Sequence, residues 1–148
     1  MRPLIPSETA LVLGGGGAKG AYQIGAMRAL SDLGISCGSV YGVSIGALNA
    51  AMYAQGDLDR AAALWENLTL EDLVTPEDRA LADSAETLFD RPERLLDFIT
   101  RHAQRKGIDT APLRALIGQY VDESKIRQSA VRFGLIATRF PSMQRAEK

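Results

Sequence analysis

The chain of 148 residues has one cysteine, one histidine and one tryptophan, and aromatic residues make up only 6% of it. A lone Cys37 can close no internal disulfide and has no neighbours at metal-ligand spacing, so a reducing compartment, the cytoplasm, is expected. An excess of either charge is also missing, since 17 Lys and Arg offset 18 Asp and Glu. Without a basic field there is nothing to draw in nucleic acid or an anionic membrane surface, so contact with lipid has to be local, apolar and transient. Met1-Arg2-Pro3-Leu4-Ile5-Pro6 lacks the apolar stretch of a secretory signal. The longest apolar stretch, residues 40–54, is broken by Gly42, Ser44, Gly46 and Asn49. It falls short of the ~20 residues needed to cross a bilayer, so no transmembrane helix is expected. Finally, no Asp-Gly dipeptide occurs anywhere in the chain.

What is present suits one globular domain with a core, at 46% hydrophobic residues. Ala10-Leu11-Val12-Leu13 is a continuous apolar run stopped by four glycines, as expected of a buried strand in a parallel sheet. From Ala18 the period becomes helical, with Tyr22, Ile24, Met27, Leu30 and Leu33 on one apolar face and Gly34 as the C-terminal cap. The unit then repeats: Ser39-Val40-Tyr41 reads as a strand, residues 42–46 as a turn, and residues 45–55 as an Ala-rich helix ended by Gly56. Two such units in succession predict an α/β fold, a parallel-type sheet with flanking helices and right-handed crossovers.

Leu58, Ala61, Ala62, Trp65 and Leu68 predict a further amphipathic helix, and residues 70–88 carry only weak periodicity. A helix starting near Pro92 places Leu95, Leu96, Phe98 and Ile99 on its apolar face and closes at Lys106-Gly107. Thr110 is positioned to cap a helix with Leu113, Leu116, Ile117 and Tyr120 aligned, and Asp122 to cap a short one through Ser129. Residues 131–138 return to the sheet. Residues 57–130 are therefore expected to be a mostly helical insertion within one domain unit spanning residues 1–148.

The chemistry concentrates in the two glycine-rich turns. The first, Gly14-Gly15-Gly16-Gly17-Ala18-Lys19-Gly20, contains G-x-G-x-x-G as Gly15, Gly17 and Gly20. Glycine admits positive φ and close approach, and the helix start behind it offers free N–H groups to an anion. That anion can be a pyrophosphate, an NTP phosphate or the oxyanion of an acyl-transfer intermediate. A P-loop would need Lys-Ser/Thr after Gly20, where Ala21-Tyr22 stand. A dinucleotide site wants an acidic residue ending the second strand, which ends instead in Tyr41-Gly42-Val43-Ser44. The second turn, Gly42-Val43-Ser44-Ile45-Gly46, is G-x-S-x-G between a strand and a helix, the setting in which a serine hydroxyl is pushed out above a sheet. The plainer reading is a serine that caps the following helix. In adjacent parallel strands both turns emerge at the same edge, which would let N–H groups of Gly16 and Gly17 meet a carbonyl oxygen attacked by Ser44.

At these residues the sequence resembles the patatin-like phospholipases. The likeness lies in Leu11-Val12-Leu13-Gly14-Gly15-Gly16-Gly17-Ala18-Lys19-Gly20 and in Gly42-Val43-Ser44-Ile45-Gly46-Ala47-Leu48-Asn49-Ala50. Asp109-Thr110-Ala111-Pro112-Leu113-Arg114 and Gly134-Leu135-Ile136-Ala137-Thr138 extend it over most of the chain. The resemblance implies a patatin-like fold and a Ser–Asp dyad acting on phospholipid or other acyl esters without cofactor or metal. Ser44 would be the nucleophile, and Gly15, Gly16 and Gly17 the oxyanion hole. Ala18, Lys19, Gly20, Gly42 and Gly46 would support the two motifs.

The family's base is an aspartate in an Asp-Gly-Ala/Gly motif on a later strand, and that motif is missing here. The expectation is thus the N-terminal part of such a catalytic domain, inactive by itself. His102 reads as a solvated helix residue, and Asp57, Asp59, Asp109 and Asp122 as caps or loop residues. Lys19 reads either as a charge near the site or as a solvated lysine, Cys37 as a small packed residue, and Trp65 as core or cover of an acyl pocket. Two other readings stay open: a nucleotide- or phosphate-binding α/β module, and a catalytically dead interaction module of the same family. An open strand edge at residues 131–138 predicts self-association.

Overall fold

In the computed structural model, residues 9–69, 72, 73, 75, 109 and 111–137 are described. The helix expected from Pro92, His102 and the cap expected at Thr110 lie outside them. β1 (Ala10–Leu13) leads through a 3-10 turn (Gly17–Lys19) into α1 (Gly20–Asp32). β2 (Ser39–Val43), α2 (Ile45–Ala54) and α3 (Leu58–Asn67) follow. Then come α4 (Ala111–Tyr120), α5 (Glu123–Gln128) and β3 (Arg132–Ile136). β2 thus takes in Gly42 and Val43, which the sequence reading gives to the turn.

The strands form one three-stranded sheet in the order β1-β2-β3. Both pairings are parallel, with Leu13 opposite Gly42 and Gly42 opposite Leu135. The two crossovers therefore bring the C-terminal ends of β1 and β2, and with them both glycine-rich turns, to one edge of the sheet.

Because side chains alternate across a strand, Leu11, Leu13, Val40 and Phe133 share one face, and this face meets the helices. Ile24 and Met27 of α1, Ala50, Met52 and Ala54 of α2, and Ala61 and Ala62 of α3 complete the core. The small residues let α3 lie close to its neighbours. A second cluster of Leu48, Leu64 and Leu116 joins α2, α3 and α4. The other sheet face is open: Val12 is 72% and Ile136 66% exposed. The apolar run of β1 leads to an expectation of burial on both sides, and only alternate residues fulfil it.

α1 differs from its sequence reading in the same way. Ile24 and Met27 are buried, whereas Tyr22 is 82% exposed, two positions off the Gly20–Ile24–Met27 stripe. Leu33, 62% exposed, stands past the last turn. On α4, Leu116 is buried and Ile117 faces out.

The helix ends behave as read. Gly34 has φ 71, its N–H donates to the Ser31 carbonyl, and Ile35 N–H donates to Leu30. Gly56 repeats this at φ 78, with its own N–H on Tyr53 and Asp57 N–H on Met52. Both are left-handed caps that satisfy the last carbonyls of a helix. Asp122 caps α5 by accepting from Ser124 and Lys125 N–H. The Gln55 side chain ties that junction to α2, donating to the Tyr120 carbonyl at 2.8 Å and accepting from Asp122 N–H at 2.9 Å.

Candidate functional site

Ser44 joins β2 to α2 with φ 54 and ψ −129, and among the described residues it is the one non-glycine with positive φ. Such a backbone costs on the order of 1–3 kcal/mol and persists only where surrounding contacts impose it. The contacts are visible. A Cβ on Gly42 would overlap the Gly46 carbonyl, and a Cβ on Gly46 would overlap the Leu13 carbonyl oxygen and lie 2.5 Å from that of Gly14. Both glycines therefore let the first turn of α2 fold back on β2 and press against the end of β1. Ser44 takes the bend between them. Its side chain is exposed and makes no cap hydrogen bond, so the plainer reading of a helix-capping serine fails on geometry.

The first turn meets Ser44 through Gly15, where a Cβ would sit 3.2 Å from Ser44 Cβ and 3.9 Å from its Oγ. Gly16, at φ 147, and Gly17, at φ 54, adopt backbone that side chains disfavour. Lys19 folds over this bend: its N–H donates to the Gly16 carbonyl at 3.1 Å, and a Cβ on Gly16 would touch Lys19 Cβ at 3.3 Å. Ala18 lies exposed within the 3-10 turn. Gly20 serves packing, because a Cβ there would lie 2.5 Å from Trp65 Cζ2 and 3.0 Å from Ile45 Cγ1. The third glycine of G-x-G-x-x-G thus lies under an indole. The structure brings Gly15 directly against Ser44, holds Gly16 and Gly17 in the bend beyond it, and uses Gly20, Gly42 and Gly46 to bring helices and strands into contact.

A polar chain that the sequence did not single out runs behind these turns. Trp65 Nε1–H donates to Asn49 Oδ1 at 2.9 Å. Asn49 Nδ2 donates to the Gly20 carbonyl at 3.0 Å and to Gln23 Oε1 at 2.9 Å. Gln23 Nε2 in turn donates to the Gly14 carbonyl at 2.8 Å. Asn49 is fully buried and the one buried polar side chain among the described residues. Its signal in the sequence is an amide inside an otherwise apolar, Ala-rich helix.

Four described aspartates are engaged in other contacts. Asp57 pairs with Lys125 at 3.0 Å and Asp59 with Arg28 at 3.1 Å, Asp109 accepts from Ala111 N–H, and Asp122 caps α5. Asp57 stands at the start of α3 without capping it through its side chain, so of the two roles read for it, cap or loop residue, it holds the second. Hydrogen bonds from Thr69, first its backbone N–H, hold the Asp72 carboxyl below its usual range. At the far end of α2, burial pushes the Tyr53 phenol up, and its oxygen accepts from the N–H of buried Cys37 at 2.9 Å.

The model of the family described as "Patatin-like phospholipase" matches residues 11–147. Among curated proteins, the lysophospholipase nte1 of Aspergillus terreus is 48% identical over 54 residues, 36% of this chain and 4% of that protein. Patatin-like phospholipase domain-containing protein 7 of Rattus norvegicus is likewise 48% identical over 54 residues, 36% of this chain and 4% of its own length. Patatin-like phospholipase domain-containing protein ZK370.4 of Caenorhabditis elegans is 43% identical over 70 residues, 45% of this chain and 5% of that protein. The chain thus spans a small fraction of the length of these relatives. No solved structure gives a significant match.

Proposed function

The chain belongs to the patatin-like phospholipase family, and from that membership and the setting of Ser44 we propose that it contributes the nucleophile and oxyanion hole of a lipid acyl ester hydrolase. The observation that carries this reading is the strained, exposed Ser44 held against Gly15. A serine that only capped a helix would need neither the strain nor the contact.

In the proposed reaction, Ser44 Oγ attacks the ester carbonyl while its proton passes to a base. N–H groups of Gly15, Gly16 and Gly17 hold the oxyanion, a contribution of about 2.7–4 kcal/mol for one such donor. Collapse of the tetrahedral intermediate expels the alcohol, which takes the proton back from the base, and leaves an acyl ester on Ser44. Water, deprotonated by the same base, then releases the fatty acid and regenerates the serine. By family likeness the base is an aspartate followed by glycine, a dipeptide that residues 1–148 do not contain. Residues 1–148 alone are therefore expected to turn over no ester. The relatives named lysophospholipases support phospholipids or lysophospholipids as the substrate class, reached through transient contact with a lipid surface.

A fluorophosphonate probe tests the reading on the intact gene product. Labelling at Ser44 that disappears in Ser44→Ala is expected. An unlabelled Ser44, or labelling that survives the substitution, removes the nucleophile. Saturable binding of a nucleotide at the residue 14–20 turn would favour the phosphate-binding reading instead.

A further inference from the structure

A glycine-rich loop that must aim N–H groups at a developing charge has a physical difficulty. The freedom that lets Gly16 and Gly17 adopt positive φ also lets them leave it. Something has to hold the loop to the element that carries the nucleophile. The chain of hydrogen bonds from Trp65 through Asn49 and Gln23 has the right form. It fastens the loop near both ends, by the Gly14 and Gly20 carbonyls, and it is rooted in α2, the helix whose first turn follows Ser44. Asn49 is placed to do this because it lies on the α2 face turned toward α1, with no water to compete for its donors. Trp65 occupies its acceptor, which fixes the amide so that both of its donors point to α1.

We infer that Gln23 and Asn49 are positioning residues that hold the residue 14–20 loop in register with Ser44, acting through the loop carbonyls without touching substrate. The inference rests on Ser44 being the nucleophile. It assigns catalytic importance to a half-buried glutamine on α1 and to a buried asparagine on α2, neither of them in the G-x-S-x-G or G-x-G-x-x-G positions.

Replacing the fully buried Asn49 strands the Trp65 indole N–H and the Gly20 carbonyl, and the fold can fail for that reason alone. The decisive variant is therefore Gln23→Glu. The ionised carboxylate that this substitution introduces still accepts from Asn49 but can no longer donate to the Gly14 carbonyl, whereas the protonated acid can. In the intact gene product, fluorophosphonate labelling of Ser44 is compared with wild type at each pH from about 8 down toward the ordinary glutamate value near 4.3. Labelling about 10- to 100-fold slower than wild type is expected at neutral pH, the scale of a small misplacement of catalytic groups. The deficit should shrink as pH falls and the acid regains its donor. Gln23→Met, which loses both hydrogen bonds, should show a deficit that does not change with pH.

With an ester substrate, kcat should fall while KM holds, and Tyr22→Ser on the exposed side of α1 should match wild type in both. A Gln23→Glu protein that labels at the wild-type rate, or whose deficit is constant with pH, overturns the positioning role while Ser44 stands. An unlabelled wild type overturns the underlying reading of Ser44, and the positioning role with it.

Discussion

The two glycine-rich turns stand side by side at one sheet edge and are built on opposite principles. On either side of the turn after β2, Gly42 and Gly46 have ordinary backbone and are glycine because other backbone occupies the space of a side chain. The strained conformation falls on Ser44, a residue that prefers to avoid it. In the turn after β1, Gly16 and Gly17 themselves take the positive φ, while a side chain on Gly14 would meet nothing within 4 Å. The first design wedges a residue in place by steric contact. The second is a loop of unusual conformers in contact with its surroundings at Gly15 and Gly20, and side-chain hydrogen bonds from Gln23 and Asn49 reach its Gly14 and Gly20 carbonyls. Where a turn must fix one atom, crowding suffices. For a turn that would, as proposed, present a row of N–H groups, crowding would block the ligand, and tethers from behind are the available solution.

Substitutions at the glycines test that contrast. The largest effects are expected from Gly42→Ala and Gly46→Ala, because the new methyl meets rigid backbone, the Gly46 carbonyl in the first and those of Leu13 and Gly14 in the second. Urea unfolding should show a loss of about 3 kcal/mol or more. Gly16→Ala should cost about 2 kcal/mol, from φ 147 rather than from overlap, and should slow labelling of Ser44 as well. At Ser44 the order reverses. Ser44→Gly relieves the strain and should unfold at higher urea than Ser44→Ala, by about 1 kcal/mol, although neither is labelled. The smallest effect is expected for Gly14→Ala, within about 0.5 kcal/mol of wild type, since its surroundings are open. A large loss at Gly14, or none at Gly46, would break the distinction between the two turns.

Much of this is legible in the chain. The strand–turn–helix order, the helix ends at Gly34 and Gly56 and the cap at Asp122 follow from local rules, because each depends on a few consecutive residues. G-x-S-x-G points to Ser44 for the same reason. Tyr22, Leu33 and Val12 read as core from the pattern and are exposed. Periodicity tells how side chains share a face but not whether anything covers it. Gln23 gives no signal because a glutamine in the second turn of a helix usually points to water, and only the nearness of Asn49 and the Gly14 carbonyl gives it partners.

The division follows the range of the interactions. By itself the sequence determined the strand–turn–helix order around the two glycine-rich turns, the helix ends at Gly34 and Gly56, and which residue stands at the bend between β2 and α2. These are contests among backbone conformations settled within a turn or two. Tertiary structure alone decided that Gly20 is glycine for Trp65 and Gly46 for the end of β1, and that the amide of Asn49 ties α2 to α1. Those contacts join segments far apart in the chain. Their geometry is set by how closely α1, α2 and α3 pack on β1 and β2, a property that no single stretch of residues carries.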